Sequence, residues 1–221
     1  MSKGVGVAPG TTTLTLPDGQ QIMLVDWIDD KIFGSVELED SDTSAVEAYS
    51  NGRSQPIPGG TRAQTKVDTN IPKAGDSGLP KDWEMLVYGW GVEFVRTAAT
   101  ATLAAASTPV THALAYGVDR LTAFDYQYNG KSYTTGRISD YPRGGGLVAQ
   151  YFTTANATTF DAVNNGSQSP RDRVALVLPV HEREGLGYKA VLQPESALDI
   201  GTSLFMDLRV IKNGLIKRTV V

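Results

Sequence analysis

The chain contains no cysteine. Disulfide frameworks, thiolate metal sites and a cysteine nucleophile are therefore excluded, and the redox compartment is left open. Only two histidines are present, His112 and His181. A hydrolytic triad needs an imidazole oriented beside an activated nucleophile, and neither histidine has such a neighbourhood. A Gly-x-Ser-x-Gly elbow is also missing. His181-Glu182-Arg183-Glu184 begins like a zinc helix, but no second histidine follows four residues later. That stretch reads as a turn between two strands. There is no basic block, and the net charge is −4, so no direct nucleic-acid site is evident. No run approaches about 18 apolar residues, the length that spans a bilayer. Met1–Val7 lacks the apolar core of a secretion signal, so the expected place of folding is the cytoplasm where the chain is made. His112 is expected at the surface. No catalytic, cofactor-binding or metal-binding residue is assigned, no cofactor is implied, and no enzyme is expected, although 24 acidic residues leave a carboxylate pair open in principle.

What is present is β structure. Hydrophobic residues make up 41% and charged residues 20%, the balance of a folded globular chain. With 221 residues, one large β domain or two small ones can form without covalent staples. The 23 glycines and 11 prolines imply many turns. Thr12–Leu16 is a short strand closed by Pro17-Asp18-Gly19. Gln21–Ile28 and Lys31–Leu38 are predicted to form a hairpin across Asp29-Asp30, because both are rich in β-branched and large apolar residues. Trp83–Arg96 is the longest strand, with Trp83, Met85 and Val87 on one face and Leu86, Tyr88, Trp90, Val92 and Phe94 on the other. Gly89 and Gly91 within it suggest a bulge or a close backbone approach. Ser107-Thr108-Pro109 opens a helix over 109–121, with Val110, Leu114, Val118 and Leu121 at helical spacing. Phe124–Tyr128, Asn129-Gly130 and Lys131–Arg137 form the clearest hairpin, with Tyr133 extending its aromatic face. Leu147–Phe152 is a further short strand. Val174–Val180 and Gly187–Gln193 follow. Ser203–Ile211 alternates, with Leu204, Met206, Leu208 and Val210 facing one way and Asp207 and Arg209 the other. Lys212-Asn213-Gly214 is predicted to turn the chain into Leu215–Val221.

Between these strands lie long polar stretches. Glu39, Asp40 and Asp42 could be read as calcium ligands, but the glycine and distal glutamate of a calcium loop are lacking, which favours a solvated loop. Residues 45–82 are punctuated by Asn51-Gly52, Pro56, Pro58-Gly59-Gly60, Pro72 and Pro80. A connection this long is either a functional excursion over a neighbour or a mobile loop with no role. Gly144-Gly145-Gly146 lacks the Lys-Ser/Thr and the strand–loop–helix setting of a phosphate cradle. Residues 153–173 read as a second exposed loop. Tryptophans on a β surface also admit a sugar-stacking platform, with core packing the favoured account.

The order of these features resembles the jelly-roll capsid proteins of tailless icosahedral viruses, bacteriophages in particular. The resemblance covers residues 65–221. It runs from Thr69-Asn70-Ile71-Pro72 and Gly78-Leu79-Pro80 into the strand 83–96, then through the helix and the aromatic hairpin to Tyr141-Pro142-Arg143-Gly144-Gly145-Gly146-Leu147. Leu178-Pro179-Val180-His181 and the terminal Arg218-Thr219-Val220-Val221 complete it. What the resemblance implies is an all-β fold, an antiparallel jelly-roll β-sandwich with one short helix and long inter-strand loops. Residues 1–11 would be a flexible N-terminal arm and 12–221 a single domain. The implied function is structural: a virion capsid subunit, made in the host cytoplasm, that self-assembles through loops and sheet edges. Its partners would be copies of itself, a trimeric capsomer among the forms, and other virion proteins, with contact to an internal membrane left open. The contact segments expected are 1–11, 45–82 and 153–173. The alternatives are a carbohydrate-binding β-sandwich and a receptor-binding spike component.

Overall fold

The computed structural model describes residues 13–16, 19–23, 26–71, 77–98, 112–141, 174–200 and 204–218. A short hairpin comes first, β1 (Thr13–Thr15) and β2 (Gln21–Met23). Then follow β3 (Trp27–Glu39), β4 (Val46–Glu47) and β5 (Glu84–Ala98). Helix α1 (His112–Leu121) leads directly into β6 (Thr122–Tyr128), β7 (Lys131–Arg137) and a 3-10 turn at Ile138–Asp140. The last strands are β8 (Val174–Arg183), β9 (Tyr188–Pro194) and β10 (Phe205–Lys217). All strand pairings between them are antiparallel.

Two four-stranded sheets carry the molecule, ordered β3-β10-β5-β8 and β4-β9-β6-β7. Counted from β3, four pairings nest inside one another: first with eighth, second with seventh, third with sixth, fourth with fifth. The pairings β10–β5 and β9–β6 then close the two sheets. Alternation decides which side chains meet between them. On β6, Phe124, Tyr126 and Tyr128 point inward; on β9, Tyr188, Ala190 and Leu192 do. From the other sheet come Val36, Leu38, Met85, Val87, Trp90, Leu208, Val210 and Ile216, in the same apolar cluster. Trp90 and Tyr126 stack across the interface with centroids 4.5 Å apart. Burying each such side chain stabilises the fold by about 1.5–3 kcal/mol.

The β6–β7 hairpin forms as the sequence predicts, with Asn129 at φ 49° and Gly130 at φ 72° in its turn. Tyr133 is skipped at a register shift and lies 40% exposed beside Tyr128. Three predicted turns are absent. β3 runs through Asp29-Asp30 without a break, and β2 pairs with β1 instead of with β3. β10 likewise runs straight through Lys212-Asn213-Gly214, because those residues sit between β3 and β5 with pairing on both sides. His181, Glu182 and Arg183 belong to β8, and the chain turns only afterwards, at Gly185 with φ 70°. Polar residues within a continuous strand imitate turn residues: Lys212-Asn213-Gly214 is held straight by pairing on both sides, and Asp29-Asp30 and His181–Arg183 by pairing with one neighbour.

The predicted faces of β5 also change. Gly89 pairs with Asn213 and Val87 with Gly214, so Tyr88 is an extra, bulged residue. The bulge shifts the alternation by one, placing Trp90, Val92 and Phe94 on the same core side as Met85 and Val87. Gly214 is required at this point: a Cβ there would lie 2.1 Å from the Leu86 carbonyl oxygen. Leu86 and Tyr88 face outward, where Leu16 and Ile22 of the β1–β2 hairpin cover them together with Trp27 and Leu215. Helix α1 falls within the predicted 109–121; positions 109–111, the strand 147–152, the loop 153–173, the glycines 144–146, the arm 1–11 and the terminal 219–221 lie outside the described residues.

Candidate functional site

The excursion after β4 is an ordered layer on its own sheet over its described residues. Ile57 N donates to Arg62 O and Gln64 N to Gln55 O, which makes a tight loop turned at Gly59-Gly60. Further on, Asn70 N donates to Phe33 O, Phe33 N to Asn70 Oδ1, and Asn70 Nδ2 to Lys31 O, while Glu37 N donates to Pro58 O. These bonds occupy the outer edge of β3, which would otherwise present unpaired backbone groups. The inner surface of the excursion is thus committed to this chain.

One guanidinium pins the layer down. Arg62 Nη1 lies 2.8 Å from Asp68 Oδ2, and Arg62 Nη2 lies 3.1 Å from Asp68 Oδ1 and 3.1 Å from Asp207 Oδ2 on β10. Thr65 donates its N–H and its hydroxyl to Asp68, each at 2.8 Å, and the Ser35 hydroxyl on β3 donates to the Asp68 carbonyl. Burial alone would raise the pKa of Asp68; the hydrogen bonds from Arg62 and Thr65 outweigh it and hold the carboxyl below its usual range. Arg209 adds a second clamp, donating to Val67 O and lying over the Phe33 ring.

A second ionic centre lies inside the core. Lys212 on β10 and Glu182 on β8 are both fully buried, with Nζ 2.5 Å from Oε2. Tyr126 donates its hydroxyl to the other oxygen of Glu182. The Tyr188 ring lies 3.2 Å from the ammonium, with Tyr49 and Tyr126 close by. Burial lowers the pKa of Lys212, opposed by Glu182, and burial followed by the charge of Glu182 raises that of Tyr126. The cluster spans both sheets, and its charged pair has no exposed side-chain surface. Its chemistry is structural: a charge pair with one permitted geometry, which ties the register of β8 to that of β10 across β5.

Other polar groups among the described residues are held in separate pairs. His181 on the outer face lies 2.6 Å from Glu84 and edge-on to Trp27, without a nucleophile in the contacts that hold it. His112 starts α1. Among the described residues no group of three or more histidines and acids is placed to hold a metal. Glu39, Asp40 and Asp42 border an open hollow of about 720 Å³ with Ser44, Glu47 and Pro58. Asp40 caps the Ile200 N–H and Asp42 that of Ser44, as in a self-stabilised surface loop. Trp90 is in the core, Trp27 lies under the β1–β2 hairpin, and Trp83 stacks with Arg218. No helix among the described residues is long and apolar enough to cross a membrane.

Sequence reasoning missed both ionic centres for different reasons. The parity of β10 that buries Met206, Leu208 and Val210 also points Lys212 inward, so that signal was present but was overridden by the turn-like Asn-Gly. Arg62, Asp68 and Asp207 are separated by up to 145 positions, and nothing local announces their meeting. Comparison with known protein families, curated proteins and solved structures finds no match to this chain.

Proposed function

We propose that the chain is a structural subunit of an icosahedral virus shell, built as a jelly roll. The observation that carries the reading is the nesting of strand pairs, first with eighth through fourth with fifth, divided between two facing sheets. That wiring is what results when one long antiparallel hairpin of eight strands is rolled up, the topology of viral capsid domains. The same topology serves lectins and cupins, so fold alone does not choose among functions. Two further features favour the shell. The described residues supply ordered polar layers and buried structural charge in place of a cleft with convergent reactive groups. The excursion after β4 is ordered on a rigid sheet over its described residues, and a fixed outer layer of this kind suits repeated contacts between copies.

A carbohydrate-binding module would present an aromatic platform, and all three tryptophans are engaged inside this chain. The test is the size of the native assembly. Light scattering and negative-stain microscopy of purified protein are expected to show closed particles tens of nanometres across. A monomer at every concentration that binds a glycan panel would replace the shell reading with the binding-module one.

A further inference from the structure

Asp119 lies in the last turn of α1 and is only 9% exposed. At that end a helix presents unsatisfied carbonyls and the negative pole of its dipole, a poor setting for a carboxylate. Among the described residues its carboxyl makes no hydrogen bond and no ion pair. The charge opposite it is a second carboxylate, Asp140, on the 3-10 turn that packs against the helix. Asp140 cannot swing away without cost, because its Oδ2 accepts the Arg137 N–H at 2.9 Å. The other charged groups on the surrounding elements are Arg120 on the helix, Lys131 and Arg137 on β7, Asp125 on β6, and Glu195, whose N–H donates to Leu121 O. Of these only Arg120 opposes the repulsion, and Asp125 is engaged by Ser132 and Gln127.

We propose that Asp119 and Asp140 form a proton-operated latch that seats α1 on the 3-10 turn and the β6–β7 hairpin. With Asp119 neutral the helix end packs; when Asp119 ionises, two carboxylates and the helix dipole repel and the last turn loosens. Burial, then Asp140, push Asp119 up to about 6, with Arg120 opposing. The sign follows from a folded-state pKa raised above the unfolded one. The stabilisation is complete below about pH 4, the unfolded-chain value, and is lost as the pH rises through about 6. The latch sits at the junction of α1 with β6 and at the 3-10 turn after which the connection 142–173 begins. If the shell reading holds, it couples to pH the connection that contains the contact segment 153–173; that clause rests on the proposed function, and the latch itself does not.

The test is amide hydrogen exchange of α1 in the whole chain, corrected for intrinsic rates, beside light scattering on the same samples. Protection at the end of α1 is expected to fall by about tenfold or more between about pH 5 and pH 7.5, and to stay level in Asp119→Asn. A drop that survives in Asp119→Asn, or no drop in the natural chain, overturns the latch. Should that variant not fold, the carboxyl carbon of Asp119 is titrated by NMR in the natural chain. A midpoint near 6 supports the latch, and one near the ordinary aspartate value overturns it. Particles that form while α1 ignores pH sink the latch alone. A responsive α1 without particles supports the latch and sinks the shell reading.

Discussion

Single side chains in this protein matter most where charge is buried. Replacing Arg62 leaves Asp68 and Asp207 without their shared cation; Arg62→Met is expected to destabilise by about 3 kcal/mol, read as a lower urea midpoint. The same centre sets an acid limit. Because the folded-state pKa of Asp68 is depressed, its contribution is present above about pH 4 and is lost as the pH falls through its folded value. Asp68→Asn is therefore expected to be less stable at neutral pH, and its urea midpoint is expected to lack the fall with decreasing pH below about 4 that Asp68 gives the natural chain. In the core, Lys212→Met alone strands Glu182 and is expected to lose about 3–5 kcal/mol. Glu182→Gln together with Lys212→Met keeps an acceptor for the Tyr126 hydroxyl and is expected to recover most of that loss. If the double variant is no more stable than the single one, the pair is not the source of the cost.

At the level of elements, β5 and β10 fit each other through a bulge and a glycine. Gly214→Ala would drive a methyl into the Leu86 carbonyl, 2.1 Å from the ideal Cβ. A loss of about 1–3 kcal/mol is expected by chemical denaturation. Gly117→Ala is the control, since nothing lies within 4 Å of its ideal Cβ. It is expected to be neutral or stabilising by up to about 1 kcal/mol, because alanine favours helix more than glycine does. A chain in which both substitutions behave alike would show that the close approach of β10 to β5 is not tight. The elements themselves were legible to different degrees. The aromatic hairpin was plain because Asn-Gly lies between two alternating runs of the right length. β3 and β10 were each divided in two, because Asp29-Asp30 and Lys212-Asn213-Gly214 have the composition of turns.

For the whole molecule, the question is what the outer surfaces do. One part of the β3-β10-β5-β8 sheet is covered by the β1–β2 hairpin and another by the excursion, both drawn from this same chain. Removing residues 1–23 is expected to expose Leu86, Tyr88 and Leu215 and to cause aggregation, seen as dye binding and non-specific scattering. Removing only residues 1–11 spares that cluster. If particles of the same size form without them, the arm plays no part in assembly.

Period-two patterning determined by itself that this chain is β-rich, that Phe124, Tyr126 and Tyr128 share one face of β6 and Met206, Leu208 and Val210 one face of β10, and where the tightest hairpin lies. These are local properties, set by the geometry of a pleated backbone and the chemistry of adjacent residues. Tertiary structure alone decided that Lys212 and Glu182 meet inside the core, that Arg62 joins Asp68 to Asp207, and that the bulge suggested by Gly89 and Gly91 falls at Tyr88 and brings Trp90, Val92 and Phe94 to the same face as Met85 and Val87. Each depends on partners far apart in the chain, whose approach is determined by how two sheets close on one another.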